Sequence, residues 1–583
     1  MALRIFGYLV GAVLLVVIAA AAWTASRAIQ ARNDLNTLRS ELTTLQGAFA
    51  EQSGTGVASA LSDLSRTARD ARRAVKDPIW RVMNHIPIVG RSFVTSSGMV
   101  TEVEKDIAGP LKALAESKVA VSPQSLRNAD GSIKVSAISD VVPKLREASA
   151  ALTASGARLR RLPDTAILSA VVQQRNKLVR AGDSLAAAIT SAADTGDAAV
   201  RMLGGDGTRR YFIGVQDNAE TRGTGGAVSA FAIIRVADGK LTLESSGPAT
   251  ELKNAPADVV DLGEEYRTAW GKYHPSSTWS GSNRAASFSL AAQNWIGLRK
   301  HAVPKVCFDG AIAIDPVLLA RLMEFTGPVL LRNGAPLGAD KALVSTETYA
   351  SKVVNTDARR QLVVQDVVTG VLKDLFSGKG DSARIASTLL TSAGQGHFMI
   401  YSTDEGVQKV IETTSLSGIP PNDARSYAKV IVNNLGGTKL DFYLRESVTY
   451  SSERCVDGKR SGHISIRLHN VVDGARVGPL VTRRADAKPG TYPRGQDRLL
   501  VSVYGTRGAQ ATGVTIDGKA ASETTASENG IPVWSVDLTL DPGEERTIVV
   551  ETSEPVLAAE TAKLEVQGLV VDPTTSLDIS PCS

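Results

Sequence analysis

Residues 211–226 bring an acid, an arginine and several glycines together in one short stretch. An apolar run ends in Asp217-Asn218, Glu220 and Arg222 follow, and three of the next four residues are glycine. A strand, a polar crossing and a glycine-rich turn commonly present charged side chains at the edge of a sheet. The chemistry open to them is a Mg²⁺ held by the carboxylate and a phosphate neutralised by the guanidinium. The alternative is a hairpin turn whose charged side chains are solvated.

Other common catalytic and binding patterns are absent from the sequence. It contains no GxxxxGK[ST] loop, no HExxH and no GxSxG, and residues 223–226 lack the third glycine of a dinucleotide-binding turn. The three cysteines (Cys307, Cys455, Cys582) form no CxxC pair, and the six histidines are scattered. Zinc and dinucleotide sites are therefore not expected, and the histidines are interpreted as structural or exposed.

The block at 211–226 resembles the signature of an envelope family catalogued as domain-of-unknown-function 4012. That signature is a strand followed by Gln-Asn-Asn-Ala-Glu-x-Arg-x-Thr-Gly-Gly, and here Asp217 replaces the first asparagine. Two later blocks extend the resemblance over most of the chain. They are residues 309–316 with Thr326-Gly327-Pro328, and the set Asn434, Gly436, Gly437, Lys439, Asp441 and Tyr443.

The region around these blocks is also similar to the LytR–CpsA–Psr transferases, which move glycopolymers from polyprenyl pyrophosphate onto peptidoglycan. In that family a strand ends in an acidic motif, an arginine element and a strand–turn–strand follow, and an Arg-x-x-Arg-Gln motif opens a later helix. Here Asp217, then Arg222, then the 227–243 hairpin, and later residues 357–361 occur in the same order.

This resemblance implies a set of site residues. The implied catalytic residues are Asp217, Arg222 and Arg360. The implied phosphate ligands are Arg222, Arg284, Arg359 and Arg360, and Asp217 would hold a Mg²⁺ ion as metal ligand and cofactor site. The alternative for Arg359 and Arg360 is a solvated first turn of a helix.

Asp315 precedes Pro316 at the end of an apolar strand pattern. Proline is favoured at the first position of a helix, and aspartate is favoured as the residue that caps it. We therefore interpret Asp315 as a helix cap and not as a functional residue.

Length and composition indicate a globular chain of several domains. The chain has 583 residues, of which 43% are hydrophobic and 21% charged, and its net charge is only +5. It has no dense run of lysine and arginine, so nucleic acid is not an expected partner.

The N-terminal segment predicts a membrane anchor. Residues 5–26 carry no charge, and Trp23 lies near one end, where an interfacial anchor would be. Residues 1–27 are therefore predicted to form a single transmembrane helix, with a cleaved signal peptide as the alternative. The family resemblance implies that the bulk of the chain is extracytoplasmic.

Residues 28–203 have helical periodicity. Apolar residues recur at steps of three and four over 35–49 and over 61–75, which predicts a helical stalk or bundle rather than a long coiled coil. The apolar patch over 79–89 is interpreted as the cap of this bundle, with a membrane or lipid contact as the alternative.

Two further domains are expected after residue 203. Strands alternate with helices over 204–436, which predicts a layered α/β domain. Strict alternation and Asp-Gly turns over 437–571 predict an Ig-like antiparallel β-sandwich, and 572–583 is left as a tail. Cys455 and Cys582 would be free to pair in an oxidising compartment.

These expectations combine into a fold class and two functional hypotheses. The fold class is multi-domain: an N-terminal transmembrane helix, a helical stalk, an α/β domain and a C-terminal sandwich. The leading hypothesis is an envelope protein that binds, and could transfer, polyprenyl-pyrophosphate-linked glycan at the membrane. The alternative is a non-catalytic scaffolding or wall-polymer-binding protein.

Overall fold

The computed structural model describes most of the chain beyond residue 53. The described ranges are 54–76, 78–86, 90–112, 126–164, 169–347, 357–420, 425–453, 457–556 and 562–580, with isolated positions at 37, 40, 41, 43, 44 and 455. The chain divides into two compact units, one of residues 1–126 and 134–201 and one of residues 127–133 and 202–583.

The predicted fold class needs a correction at its N-terminal end. Within the described ranges, no helix combines the length and the apolar character that crossing a bilayer requires. The long described helices fail this test because charged side chains recur along them. The segment 5–26, on which the prediction rested, lies outside the described residues, and so does the apolar stripe predicted over 35–49.

The first unit is helical. Its core contains the second predicted stripe, with Leu61, Leu64, Ala68, Ala71 and Val75 all buried. The described helices are α1 (Gly54–Val75), α2 (Pro78–Met83), α3 (Gly90–Asp106), which continues into a π-helical turn (Ile107–Leu111), α4 (Val135–Ser139), α5 (Val142–Arg160) and α6 (Ser169–Met202).

The described part of the apolar patch at 79–89 is only partly buried. Trp80 packs edge-on against Phe93, with ring centroids 4.8 Å apart, and donates its indole N–H to Ser97 Oγ at 2.8 Å. Val82 and Ile86 are exposed. The indole thus anchors the patch to α3, as a bundle cap would require.

The second unit starts with a five-stranded mixed sheet of order β3-β2-β1-β4-β7. The pair β1–β4 is parallel, and the other neighbours are antiparallel. Its strands are β1 (Arg209–Arg222), β2 (Gly225–Ala237), β3 (Lys240–Pro248), β4 (Gly310–Ile314) and, after the helices, β7 (Phe398–Ser402). A small hairpin of β5 (Val329–Leu330) and β6 (Pro336–Leu337) lies beside it in the sequence.

Helices cover both faces of this sheet, as predicted for a layered α/β domain. Tyr211, Ile213 and Val215 of β1 pack against one helical layer, and Phe212 packs against Trp295 on the other face. Both faces of β1 are therefore apolar, as expected of a central strand. The helices are α7 (Glu264–Trp270), α8 (Phe288–Ala302), α9 (Pro316–Thr326), α10 (Ala339–Glu347), α11 (Asp357–Phe376), α12 (Ser382–Gly394) and α13 (Glu405–Glu412).

A β-sandwich follows, with one sheet of order β13-β12-β16-β10-β9-β18 and a second of order β14-β15-β11-β8-β17. The alternating residues predicted to point inward form its core, among them Ile464, Val501 and Trp534. The elements are β8 (Tyr427–Asn434), β9 (Leu444–Ser452), β10 (Lys459–Asn470), α14 (Pro479–Thr482), β11 (Asp497–Tyr504), β12 (Gln510–Ile516), β13 (Lys519–Ala520), β14 (Thr524–Glu528), β15 (Ile531–Leu540), β16 (Glu545–Pro555), β17 (Lys563–Val566) and β18 (Thr574–Ile579).

The sandwich differs from the prediction at both ends. It starts at Tyr427, ten residues before the expected boundary, because β8 is buried on both faces and shows no alternation. It is also not purely antiparallel, since β17 pairs in parallel with β8 and β18 pairs in parallel with β9. The segment expected to be a tail thus supplies strand β18.

The outer face of the β8 sheet is buried against the α/β layer. Tyr504 and Ile531 from the sandwich lie in one apolar cluster with Trp270 and Leu290. Glu528 accepts hydrogen bonds there from Tyr504 Oη at 2.7 Å, Trp270 Nε1 at 3.1 Å and the backbone N–H of Ser287 at 3.0 Å. This contact joins the α/β layer and the sandwich within the second unit.

Candidate functional site

The block that opened the sequence analysis lies on strand β1 and its turn into β2. The strand does not end at Asp217 as the pattern predicted but continues to Arg222. The register of the β1–β2 ladder passes directly from Asp217 to Thr221, so residues 218–220 form a bulge in β1. A β-bulge bends a strand and changes the direction in which its side chains point.

Two glycines of the block are required by close backbone approach. A Cβ at Gly223 would lie 2.2 Å from the backbone oxygen of Arg284, and one at Gly226 would lie 2.0 Å from that of Asp217. Neither position could hold a larger residue without moving backbone. The glycines of the block therefore serve packing between chain segments.

Asp217 is enclosed by two cations. Its Oδ2 accepts from Lys439 Nζ at 2.6 Å and from Arg360 Nη1 at 3.0 Å, and its Oδ1 accepts from the backbone N–H of Ala219 at 3.1 Å. The Asp217 residue is only 1% exposed. The carboxylate therefore faces neither solvent nor an open cleft.

Lys439 continues the contact to Glu220 and Arg222. Its Nζ donates to Glu220 Oε2 at 2.7 Å, and Glu220 Oε1 accepts from Arg222 Nη2 at 2.7 Å. We call the five residues Arg360, Asp217, Lys439, Glu220 and Arg222 the charge chain. Positive and negative groups alternate along it, with three cations and two anions.

The charge chain perturbs the ionisation of its own members. Burial alone would lower the pKa of Lys439, but the charges of Asp217 and Glu220 outweigh it and raise that pKa above its ordinary value. Burial would likewise raise the pKa of Glu220, but Lys439 and Arg222 lower it. Lys439 and Glu220 are thus held in their charged forms by their neighbours.

Arg222 uses its guanidinium on backbone as well as on Glu220. Nε donates to the carbonyl of Ser280 at 3.1 Å, and Nη1 donates to the carbonyls of Thr221 at 2.7 Å and Asn434 at 3.1 Å. The residue is 3% exposed. It links β1 to the 280 loop and to the end of β8.

Arg360 and its neighbour Arg359 lie in the first turn of α11 and have different surroundings. Arg360 is buried and donates to the carbonyl of Thr346 at 3.0 Å as well as to Asp217. Arg359 is exposed. The interpretation of a solvated first turn is therefore wrong for Arg360. The exposure of Arg359 does not by itself indicate a role for that residue.

The block that contains Asn434, Lys439 and Asp441 contacts the block at 211–226. Asn434 Nδ2 donates to Asp441 Oδ2 at 3.1 Å and to Asp497 Oδ1 at 3.4 Å, and Asp441 Oδ2 also accepts from the backbone N–H of Thr221 at 2.7 Å. Burial raises the pKa of Asp441 and of Asp497, and the charge of Asp441 raises that of Asp497 further. Asp441 and Asp497 therefore form one buried carboxyl pair whose titrations are coupled.

Asp315 is a helix cap, as predicted, and it also binds a histidine. Its Oδ1 accepts from the backbone N–H of Leu318 at 2.8 Å, and its Oδ2 lies 2.5 Å from His397 Nδ1. His397 Nε2 lies 2.9 Å from Asp572 Oδ1. Burial would lower the pKa of His397, but the two carboxylates raise it to about 9, so the ring is a buried imidazolium.

Arg284 lies apart from the charge chain but close to Arg222. Its guanidinium lies over the ring of Tyr273, with Cζ 4.5 Å from the ring centroid. Burial, and then the like charge of Arg222, lower the pKa of Arg284 to about 9. The resemblance implied four arginines as phosphate ligands, and two of them, Arg284 and Arg359, lie outside the charge chain. Arg284 is partly buried, whereas Arg359 is exposed.

A metal ion does not fit Asp217. Both carboxylate oxygens have hydrogen-bond donors, and two of those donors are cations that would repel Mg²⁺. Within the described ranges, no group of three or more histidine, cysteine, aspartate or glutamate residues could hold a metal. We therefore derive no chemistry through a metal at this carboxylate.

The structure brings together Asp217, Arg222 and Arg360, and it adds two residues to which the sequence interpretation gave no role. Glu220 and Lys439 both lie in blocks that resemble the family signature, and they complete the charge chain. The signal that could have identified these two residues is that both lie in sequence blocks that resemble the family signature. The arrangement binds protein segments to one another, since each of its charged groups contacts other groups of the protein.

Comparisons with known proteins match one family over part of the chain. Residues 206–350 match the family described as "Protein of unknown function (DUF4012)". No curated protein matches the chain. Among solved structures, the X-ray structure of the Lin1025 protein from Listeria innocua is 13% identical and covers 38% of this chain and 85% of that chain. Its TM-score of 0.16 is too low to carry an argument.

Proposed function

We propose, on the premise that residues 206–350 match the DUF4012 family, that this is a non-catalytic scaffolding protein of the cell envelope. The observation that carries the proposal is the charge chain. Asp217, Arg222 and Arg360, the residues that a glycopolymer transferase would use on a phosphate, are each at most 3% exposed and bound to protein groups. A transfer reaction would need them at the ligand.

In place of a catalytic role, the charge chain holds the parts of the second unit together. Lys439 lies between two strands of the sandwich, Asp217 lies on the α/β sheet, and Arg360 lies on a helix that covers that sheet. Breaking a buried ion pair by removing one partner typically costs about 3–5 kcal/mol. Family residues with this role would be required for the shape of the protein rather than for turnover.

We also propose an extracytoplasmic location. Cys455 is disulfide-bonded, and stable disulfides are typical of proteins in oxidising compartments. Mass spectrometry of the protein isolated from cells under alkylating conditions tests this. Cys455 recovered as the alkylated free thiol would contradict the location.

A second candidate function is binding of polyprenyl-pyrophosphate-linked glycan without transfer. The observation that favours it is local charge. The charge chain has one more cation than anion, and Arg284 adds a further positive group near Arg222. Clustered positive charge attracts phosphate groups.

A transfer assay separates scaffolding from catalysis. Purified chain would be incubated with a lipid-linked glycan donor and wall polymer, and release of prenyl phosphate would be measured against a LytR–CpsA–Psr transferase as positive control. We expect no release above background. Release that Asp217→Asn abolishes while leaving the melting temperature unchanged would overturn the scaffolding proposal.

A further inference from the structure

Arg284 stands out among the partly buried arginines of the second unit. Its Nε and Nη1 are enclosed, and neither has a hydrogen-bond partner among the described residues. Arg484 of the same unit, in contrast, binds Asp486 through Nε and Nη2 and Gln496 through Nη1. Since arginine carries five donors in a fixed fork, an unbonded and half-buried guanidinium indicates a ligand that is absent from the protein itself.

The surroundings of Arg284 are positive. Lys272 Nζ lies 5.1 Å from the centroid of the same Tyr273 ring over which the arginine lies, and Lys272 is exposed. Arg222 is close enough to repel Arg284 electrostatically. The acidic group that also acts on Arg284 is Glu220, whose two oxygens are bound to Lys439 and Arg222.

The backbone fixes both partners of the stacked pair. Asn433 Nδ2 donates to the carbonyl of Arg284 at 3.1 Å, and Gly223 packs directly on that carbonyl. Gly281 packs on the carbonyl of Tyr273, where a Cβ would lie 2.2 Å from the oxygen. The guanidinium and the ring are therefore held on a defined framework rather than on a free surface loop.

We propose that Arg284, with Lys272 beside it on Tyr273, is a binding subsite for a phosphate group. The inference rests on the second candidate function and deepens it by naming the phosphate subsite. A phosphate group carries up to two negative charges and several acceptor oxygens, which match one guanidinium and one ammonium better than a single carboxylate does. The phosphate could belong to free pyrophosphate or to a prenyl-linked one.

Calorimetric titration of the full chain with two probes tests the subsite. Inorganic pyrophosphate reports the phosphate contact alone, and geranyl pyrophosphate adds a prenyl chain. We expect Arg284→Gln to weaken binding of both probes at least tenfold, and Arg284→Lys to weaken it less because the charge is kept. Tighter binding of geranyl pyrophosphate would identify a lipid-linked source, and equal binding would identify the phosphate alone.

Arg299→Gln is the matched control. Arg299 also lies over an aromatic ring, that of Phe231 at 5.1 Å, and its pKa is also lowered by burial. It should leave affinity unchanged. An equal loss in Arg299→Gln, no binding by wild-type protein at millimolar probe, or tighter binding of acetate than of phosphate would each overturn the proposal.

A measurement on the wild-type protein covers the case in which Arg284→Gln fails to fold. Phenylglyoxal modifies accessible arginines, and the modified positions are read by mass spectrometry. Pyrophosphate should slow modification at Arg284 and leave Arg299 unaffected. An equal rate at Arg284 with and without pyrophosphate would contradict the subsite but would leave the scaffolding proposal standing, since that is tested by turnover.

Discussion

Lys439 and Asp217 lie 222 positions apart in the sequence, and their charged atoms lie 2.6 Å apart in the fold. The lysine follows a strand of the sandwich, and the aspartate lies at the bulge of β1. Two blocks that resemble the family signature in sequence thus meet in one buried ion pair.

Removing the lysine should destabilise the second unit. Lys439→Met leaves Asp217 and Glu220 with one cation fewer, and we expect the free energy of unfolding to fall by about 3 kcal/mol. Urea titration followed by the fluorescence of the buried tryptophans measures it. Lys409→Met, at an exposed helical position, is the control, and an equal effect of the two variants would contradict the role of the ion pair.

The pair should also be coupled energetically. In a double-mutant cycle of Asp217→Asn and Lys439→Met, the double variant should lose less stability than the sum of the single variants, by about 1–3 kcal/mol. The coupling arises because the second substitution removes a partner that the first has already left unpaired. Additive losses would indicate that the two residues act independently.

The buried imidazolium predicts a loss of stability in alkali. Because the folded pKa of His397 is raised from 6.5 to about 9, its stabilisation is complete below pH 6.5 and is lost as the pH rises through 9. The free energy of unfolding should fall by on the order of 3 kcal/mol across that window. His397→Gln should remove this dependence, whereas the exposed His301→Gln should retain it. A pH profile unchanged in His397→Gln would refute the assignment.

The carboxyl pair predicts a substitution that stabilises the protein at neutral pH. The raised pKa of Asp497 means that its proton favours the folded state at low pH, and that this stabilisation is lost as the pH rises. Asp497→Asn keeps a donor toward Asp441 at every pH. The variant should gain stability relative to wild type as the pH rises above the ordinary pKa of an aspartate, by about 1 kcal/mol or more. Asp473→Asn, at an exposed position, should show no such trend.

The disulfide of Cys455 predicts a definite partner. Strands β9 and β18 are parallel with Ser452 opposite Ile579, and Cys455 and Cys582 each follow three residues later in the sequence. Peptide mapping without reduction should therefore find these two cysteines cross-linked. Reduction should lower the unfolding free energy by about 2–4 kcal/mol. A mixed dimer through the exposed Cys307 would be the contrary result.

The sequence predicted those parts of the fold that follow from local pattern. The alternation around Ile464 and Val501 and the proline after Asp315 depend on neighbours within a few residues, and the core and the helix cap agree with them. Strand β8 was assigned to the α/β segment because burial on both faces removes alternation. Its place in the sheet is decided by β11 and β17, which lie far away in the sequence.

The sequence predicted which residues lie in the candidate site, but not how they pair with one another. Asp217, Arg222 and Arg360 do lie together, but no sequence pattern predicts that Lys439 pairs with Asp217 or that Glu220 pairs with Arg222. Burial and pairing are properties of the tertiary fold. An acid and an arginine that face a ligand have the same sequence pattern as an acid and an arginine that face each other.

Strands β17 and β18 are synthesised after the other strands of the sandwich, although both sheets include one of them. One completes each sheet of the sandwich, and Asp572 between them supplies a carboxylate to His397 in the α/β layer. A nascent chain that has emerged only as far as residue 556 therefore leaves the longer strands β8 and β9 at the edges of the two sheets, and an imidazole with one counter-ion. Open edges pair readily with other strands. The second unit is thus expected to need protection during synthesis until residues 563–579 have been added.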